Sequence, residues 1–254
     1  MWGGERRSVS ISTGKERLMS EENRKAIRIS VRNLVEFVLR SGDIDNRCSG
    51  NAQKDAMLAG GRIHRKIQKR MGSGYRAEVP LKHEVQDEEQ EITLLVEGRA
   101  DGIFTENGIP VIDEIKGMYT DISRLEEPIE VHLAQAMCYG YFYCCDKDLD
   151  GIRLQMTYCN LETEEIKRFQ TDRSREELEI WFSGVVHEYL KWARYLCHHE
   201  LTRDASIRQL EFPFPYRAGQ RDLVVAVYRT VSRKKRLFIQ APTGIGKTLS
   251  TVFP

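Results

Sequence analysis

The chain has 254 residues, of which 41% are hydrophobic and 30% are charged, and its formal net charge is +1. This length allows one large domain, or one medium domain and part of another. No stretch approaches the roughly 18 apolar residues of a membrane-spanning helix, and the polar N-terminus lacks the apolar core of a signal peptide. We therefore expect a cytoplasmic protein with no membrane partner.

The charge and the cysteines narrow the function classes further. A net charge of +1 does not indicate a nucleic-acid-binding protein by itself. Any such contact must come from local basic patches, for which residues 62–70 and 233–236 are the candidates. The six cysteines show no C-x-x-C spacing. We therefore predict free thiols in the core and no iron–sulfur cluster.

The N-terminal third begins with a polar segment and continues with two helices. Residues 1–29 are predicted to be a disordered extension, because they show no hydrophobic periodicity. Ser30 then caps a helix whose apolar side chains recur at helical spacing. A second helix covers about residues 53–71, with Ile63 and Ile67 on its apolar side and His64 at the border of that side. A histidine in such a place is more often structural than functional.

The middle of the chain alternates between strand and helix patterns. Strands are predicted at about residues 76–85, 91–104, 109–116, 151–160 and 163–170, and a helix at about 129–144. Ser174 and Glu177 form a capping box at the start of a long amphipathic helix that ends near residue 200. This order predicts an α/β domain over residues 30–199, with a mixed central sheet flanked by helices.

A hairpin lies at the centre of this domain. Asn107-Gly108, between two apolar-rich runs, is a strong signal for a two-residue β-turn. That turn pairs Asp101 directly with Glu114 on the neighbouring strand, and it places Asp113 on the other face of the sheet. A β-bulge would shift this assignment by one residue.

The same alternation places Arg99 and Lys116 on the face of Asp101 and Glu114. Two carboxylates about 5 Å apart repel each other unless a cation or a shared proton neutralises them. A divalent cation with oxygen ligands is one resolution, and Lys116 could then hold a phosphate oxygen or help to deprotonate a water. Surface ion pairs with Arg99 and Lys116 are the other, and the spacing alone does not decide between them.

One ordered set of residues within 30–199 resembles the motifs of the PD-(D/E)XK nuclease superfamily, in particular its RecB-type branch. The set is His64, Glu78, Asp101, Glu114-Ile115-Lys116 and Gln135-x3-Tyr139. The resemblance implies a restriction-endonuclease-like fold and a DNA nuclease that uses Mg²⁺ or Mn²⁺. By this resemblance, the metal ligands are Asp101, Glu114, His64 and the Ile115 carbonyl. Lys116 would activate the attacking water, and Glu78 would be a helper carboxylate. Gln135 and Tyr139 would position the DNA or the site.

A second segment follows a polar stretch at 200–212, which is predicted to be a linker. Within residues 213–254 we predict a helix at about 217–232 and a buried strand at 237–240. The loop A-P-T-G-I-G-K-T at 241–248 departs from the P-loop pattern only in Ala241 at the first glycine position. The residues predicted to bind the phosphates and Mg²⁺ of ATP are Thr243, Gly244, Gly246, Lys247 and Thr248.

This second segment also carries a resemblance. Tyr216 and Gln220 resemble the adenine-reading element of superfamily 2 helicases, and residues 213–254 resemble the start of a DinG- or XPD-like DNA helicase. The later motifs of that family have no counterpart here, so we expect a chain truncated after the Walker A motif. ATP with Mg²⁺ is therefore expected as a cofactor of the complete parent protein, and this piece should not hydrolyse ATP productively even if the loop forms.

Together these observations favour a metal-dependent DNA nuclease domain joined to the start of an ATP-dependent DNA helicase, acting on single-stranded or flapped DNA in repair or processing. One alternative is a catalytically inactive nuclease-like domain that loads DNA onto the helicase. Another is an ATP-binding regulatory protein complete in itself. The sequence leaves open endonucleolytic or exonucleolytic cutting and the oligomeric state.

Overall fold

The computed structural model describes residues 25–42, 50–87, 89 and 92–254, and only the backbone within 50–57. The disorder that we predict for residues 1–24 lies outside this part of the chain. The chain divides into two compact units, Met1–Tyr195 and Leu196–Pro254. No helix in the described ranges is long and apolar enough to cross a bilayer.

The first unit is the predicted α/β arrangement, with helices flanking a mixed sheet. Its elements are β1 (Lys25–Ser30), α1 (Val31–Leu39), α2 (Gly50–Arg70), β2 (Arg76–Asp87), β3 (Ile92–Glu106), β4 (Ile109–Met118), a 3₁₀ turn (Ile122–Arg124), α3 (Glu130–Lys147), β5 (Gly151–Asn160), β6 (Ile166–Ser174) and the part of α4 (Arg175–Arg208) up to Tyr195.

The disorder predicted for residues 25–29 is wrong, because these residues form strand β1. The strand pairs in parallel with β3, from Lys25↔Ile92 to Ser30↔Glu97. A parallel partner so distant in the sequence leaves no local signal, and only Ile27 and Ile29 alternate in a way that indicates a strand. Ser30 ends β1 and caps α1 as predicted, since its hydroxyl accepts a hydrogen bond from the Asn33 N–H at 3.1 Å.

The sheet is organised around the long strand β3. Antiparallel β2 runs along most of one edge of β3. Because residues 92–97 of β3 also pair with β1 and residues 102–106 also pair with β4, these two strands share the other edge. β4 then pairs in parallel with β5, and β5 pairs antiparallel with β6. The stretch of β3 between its two partners contains Asp101.

The hairpin between β3 and β4 has the predicted register. Asn107 and Gly108 both have positive φ, 51° and 81°, as a two-residue turn of this type requires. Phe104 pairs with Val111, and the ladder continues as far as Gly102↔Asp113. The turn therefore fixes which residues of the two strands approach each other.

Helices cover the two faces of this sheet. On one face, Ile63 and Ile67 of α2 pack against Ile115 and Cys159 of the neighbouring parallel strands β4 and β5. On the other face, α3 approaches β5 so closely that a Cβ at Gly140 would lie 2.8 Å from a Leu154 methyl carbon. The two helices thus hold β4 between them, and β4 carries Glu114 and Lys116.

Helix α4 begins as predicted and ends later than predicted. The Glu177 N–H donates to the Ser174 hydroxyl at 3.1 Å and the Ser174 N–H donates to the Glu177 carboxylate at 2.8 Å, which is the capping box. The helix then continues to Arg208, so most of the predicted linker at 200–212 is helical. The loss of apolar periodicity there accompanies a solvent-exposed helix, and a helix polar all round can bridge two units, so the linker role of this stretch stays a prediction.

The second unit contains α5 (Gln220–Ser232) and α6 (Lys247–Val252). The helix predicted from residue 217 starts three residues later, after Gly219 in the left-handed region at φ 75°. The strand predicted at 237–240 is wrong, because residues 235–242 are irregular and Phe238 is 93% exposed. A short apolar run forms a buried strand only where other strands pair with it, and the described part of this unit has none.

A substitution at Gly102 tests how Tyr75 packs against β3. A Cβ there would lie 1.8 Å from the Tyr75 ring, so we expect Gly102→Ala to lower the free energy of unfolding by about 1–3 kcal/mol. Gly61→Ala is the control, because Gly61 lies in α2 with nothing within 4 Å, and alanine there should stabilise by about 0.5–1 kcal/mol. Urea unfolding followed by tryptophan fluorescence measures both. Equal stabilities would contradict the packing of Tyr75 on this strand.

Candidate active site

The β3–β4 ladder opens at the two predicted carboxylates. After Gly102↔Asp113 the regular pairing stops, and the Asp101 side chain takes over as acceptor: its Oδ2 accepts a hydrogen bond from the Ile115 N–H at 2.7 Å. The register is the predicted one, and only the regular pairing ends one pair before Asp101 and Glu114, where the Asp101 side chain accepts the Ile115 N–H. Glu114 remains close enough to Asp101 for their charges to interact.

Arg99 was predicted to lie on the face of Asp101 and Glu114, but no ion pair between Arg99 and these carboxylates is seen among the described residues. Arg99 is exposed and lines a separate cavity of about 610 Å³ together with Lys82 and Glu97. β3 continues through Arg99 as a strand that pairs with Pro80 of β2, and Pro80 lines the same cavity. The ion pairs of this site therefore come from other residues.

Glu114 is a buried carboxylate with one unpartnered oxygen and a shifted pKa. The residue is 4% exposed, and its Oε1 accepts a hydrogen bond from the Lys116 ammonium at 2.6 Å. Its Oε2 is buried and has no hydrogen-bond partner among the described residues. Burial raises the pKa of this carboxyl to about 7, with the nearby Lys116 opposing and the nearby Asp101 adding to the rise. An unpartnered buried carboxylate oxygen is costly unless something binds it.

Helix α3 fixes the position of Lys116. The Lys116 ammonium also donates to the side-chain oxygen of Gln135 at 2.8 Å, so Glu114 and Gln135 hold it from two sides. Tyr139, one turn further along α3, is buried, and the backbone of Arg99 hydrogen-bonds its hydroxyl. The predicted pair Gln135 and Tyr139 thus connects α3 to both strands of the hairpin.

Helix α2 also contributes residues to the site, next to Asp101. His64 Nδ1 lies 3.3 Å from Asp101 Oδ1. Burial lowers the His64 pKa, but the hydrogen bond and charge of Asp101 outweigh it, and the net shift is upward. Gln68 donates to the Asp101 carbonyl at 2.9 Å and reaches Glu78 Oε1 at 3.4 Å. Gln68 was missed from the sequence, although its position one turn after His64 is the signal that could have found it.

Asp113 lies in a separate network, as the hairpin register predicts. Its carboxylate accepts hydrogen bonds from the Tyr75 hydroxyl at 2.9 Å, the Gln155 amide at 3.1 Å and the Thr157 hydroxyl at 2.6 Å. Burial raises its pKa although these hydrogen bonds act in the opposite direction. Asp113 is therefore satisfied within the protein, and Glu114 is the acidic residue that belongs with Asp101 and Lys116.

The donor set partly fits a divalent metal. The oxygens of Asp101 and the unpartnered Oε2 of Glu114 are the ligand type that Mg²⁺ and Mn²⁺ prefer. The described residues contain no group of three or more His, Cys, Asp or Glu side chains arranged to hold a metal ion. In this structure the Lys116 ammonium and the His64 imidazole are the groups that contact the two carboxylates. The ligand roles of His64 and of the Ile115 carbonyl stay predictions.

In the second unit, several of the residues predicted to bind a nucleotide lie close together. Gly244 and Gly246 have positive φ, 84° and 81°. The Lys247 ammonium donates to the carbonyls of Ala241 and Pro242, at 3.2 and 2.8 Å. A cavity of about 460 Å³ is lined by Gln220, Gly244, Gly246, Lys247 and Thr248 among others, and Thr243 is exposed outside this lining.

Comparison with known proteins gives weak similarities. No protein-family model matches the chain, and no curated protein matches it. Among solved structures, the protein SSO0001 has a TM-score of 0.42 at 16% identity, covering 68% of this chain and 82% of that one. An alkaline exonuclease from Laribacter hongkongensis, LHK-Exo, has a TM-score of 0.38 at 12% identity, covering 69% of this chain and 94% of that one. At these low TM-scores neither similarity carries an argument about this chain.

Proposed function

We propose that the first unit is a metal-dependent DNA nuclease of the PD-(D/E)XK type that hydrolyses phosphodiester bonds. The observation that carries the proposal is Glu114, buried next to Asp101 with one carboxylate oxygen unpartnered and a raised pKa. A surface ion pair, the alternative interpretation of these residues, needs neither burial nor an unsatisfied oxygen. Strong perturbation of a carboxyl by burial and a specific charge partner is typical of functional sites.

The surrounding residues have distinct tasks in this proposal. Asp101 and Glu114 hold the divalent metal, which when bound supplies Lewis-acid polarisation of the phosphate and activation of water. Gln135 holds the Lys116 ammonium next to Glu114, where it can orient a water or hold a phosphate oxygen. His64 Nδ1 lies 3.3 Å from Asp101 Oδ1, where the imidazole can orient this carboxylate. The Ile115 N–H fixes the Asp101 carboxylate, so this ligand is oriented before metal binds.

We propose in addition that the second unit binds ATP as part of a DNA helicase acting in DNA repair or processing. The P-loop sequence, the two positive-φ glycines and the cavity that Gln220 and Lys247 line support this proposal. The Lys247 ammonium is held by the loop's own carbonyls, an interaction that a phosphate would replace. Nucleotide binding by the second unit is independent of the nuclease proposal.

A cleavage assay tests the nuclease proposal. We expect the full chain to cut labelled single-stranded or flapped DNA only with Mg²⁺ or Mn²⁺, and Lys116→Ala to cut at least about 100-fold more slowly. Lys147→Ala is the control, because it removes an exposed lysine paired with Asp146. DNA binding by the wild type without cleavage under either metal would contradict the proposal and favour the inactive DNA-loading domain.

A further inference from the structure

Helix α2 carries a group of cations that the proposed catalytic chemistry does not use. Arg62, Arg65 and Lys69 are exposed, and no carboxylate among the described residues forms an ion pair with them. Exposed cations elsewhere in the first unit are often paired, for example Arg32 with Glu36 and Lys147 with Asp146. Three unpaired cations are conspicuous in a chain whose formal net charge is only +1.

The helix geometry places these cations on one side. A helix turns about 100° per residue, so Arg62, Arg65 and Lys69 lie within about 60° of one another and span about 10 Å of the helix axis. Ile63 and Ile67 are buried on the opposite side. Lys66 borders the same side, but its ammonium is paired with Glu164. The three residues therefore form a narrow basic stripe along the helix.

The basic stripe begins next to the candidate active site. His64 contacts Asp101, and Gln68 donates to its carbonyl, so these two residues mark the side of α2 that faces the carboxylates. Arg65 follows His64 directly and lies about 60° around the helix from Gln68. The stripe therefore lies on the side of α2 that adjoins the side facing the carboxylates, with Arg65 nearest to them and with Arg62 and Lys69 further around the helix.

We propose that Arg62, Arg65 and Lys69 bind the phosphates of a single DNA strand next to the cleavage position. The inference deepens the proposed nuclease function, because it names the surface that holds the substrate backbone on one side of the metal-binding carboxylates. Arginine and lysine at such a stripe bind phosphate oxygens without reading the bases, so the contact is independent of sequence. Binding through released counterions makes its affinity depend steeply on salt.

The salt dependence of DNA binding tests this site in the full chain. A short fluorescein-labelled oligothymidylate is titrated by anisotropy in EDTA, which prevents cleavage, between about 50 and 200 mM salt. Each phosphate contact on a single strand contributes about 0.7 to the slope of log affinity against log salt. We expect the triple variant Arg62→Ala, Arg65→Ala, Lys69→Ala to lose about 2 from that slope. Arg62→Lys with Arg65→Lys, which keeps the charge, should retain it.

Arg28→Ala is a second control, because it removes an exposed cation from β1 and leaves the stripe intact. A triple variant that keeps the wild-type slope, or a loss equal to that of Arg28→Ala, would overturn the inference. So would a wild type that fails to bind the oligonucleotide at low salt. Stripe-dependent binding together with failure of the separate metal-dependent cleavage assay would support the inference while contradicting the nuclease proposal.

Discussion

Glu114→Gln should abolish metal-dependent cleavage while making the metal-free protein more stable. Glutamine keeps the shape of the side chain, but it removes the charge whose burial raises the Glu114 pKa to about 7. Loss of a group that stabilises charge at a catalytic centre typically slows turnover by about 10²–10³-fold. Relief of the desolvation cost should raise the free energy of unfolding at neutral pH by about 1 kcal/mol or more.

Glu97→Gln is the control for this prediction, since Glu97 is an exposed carboxylate of the same unit that belongs to a different cavity. Its cleavage rate and stability should match those of the wild type. The measurements are the cleavage rate on labelled DNA with Mn²⁺ and urea unfolding in EDTA. A Glu114→Gln protein that is less stable and still cuts DNA would show that Glu114 serves only to hold Lys116.

The stability of the metal-free protein should fall as pH rises from about 4.5 to about 7. The Glu114 pKa is about 7 in the folded state against an ordinary value of 4.5 for a glutamate carboxyl, so this carboxyl favours folding fully below about pH 4.5 and loses most of that contribution by about pH 7. The loss is on the order of 3 kcal/mol. The raised His64 pKa acts in the same direction. Urea unfolding in EDTA at several pH values measures the fall.

Mn²⁺ should reverse this trend, because the metal binds the deprotonated carboxylate and so stabilises the folded state more as pH rises. In Glu114→Gln both effects should shrink, and only the contribution of His64 should remain. A wild type whose metal-free stability is flat between about pH 5 and about pH 8 would contradict the raised pKa that burial gives Glu114.

The hairpin was predictable because its determinants are local. Asn107-Gly108 sets the turn, and the turn sets the register that separates Glu114 from Asp113. The opening of the ladder was not predictable in the same way. It depends on the Asp101 side chain accepting the Ile115 N–H, and no pattern of apolar residues indicates that a side chain will replace a backbone acceptor.

The same contrast applies to the other elements. The capping box at Ser174 is local and was predicted, whereas β1 forms only because β3 pairs with it. The apolar run at 237–240 resembles β1 in length, but it has no strand partner among the described residues. Individual strands are therefore less predictable than turns and caps, because the residues of a strand do not indicate which other strand will pair with it.

The candidate site shows the same division. The grouping of Asp101, Glu114 and Lys116 followed from the hairpin and from the family resemblance. The network of Tyr75 and Thr157 around Asp113 was missed, since it joins segments that the sequence does not relate. That network explains why two adjacent acids differ: one is satisfied by the protein, and the other keeps a free oxygen.

The most direct test of the central claim is a Mn²⁺ titration of the wild-type chain and of Glu114→Gln at about pH 8, followed by the electron paramagnetic resonance of free Mn²⁺. We predict that the wild type takes up Mn²⁺ at a site in the first unit and that Glu114→Gln loses this uptake. ATP is left out, so the second unit contributes no nucleotide-bound metal. Equal Mn²⁺ binding by the two proteins, or none by the wild type, would contradict the account.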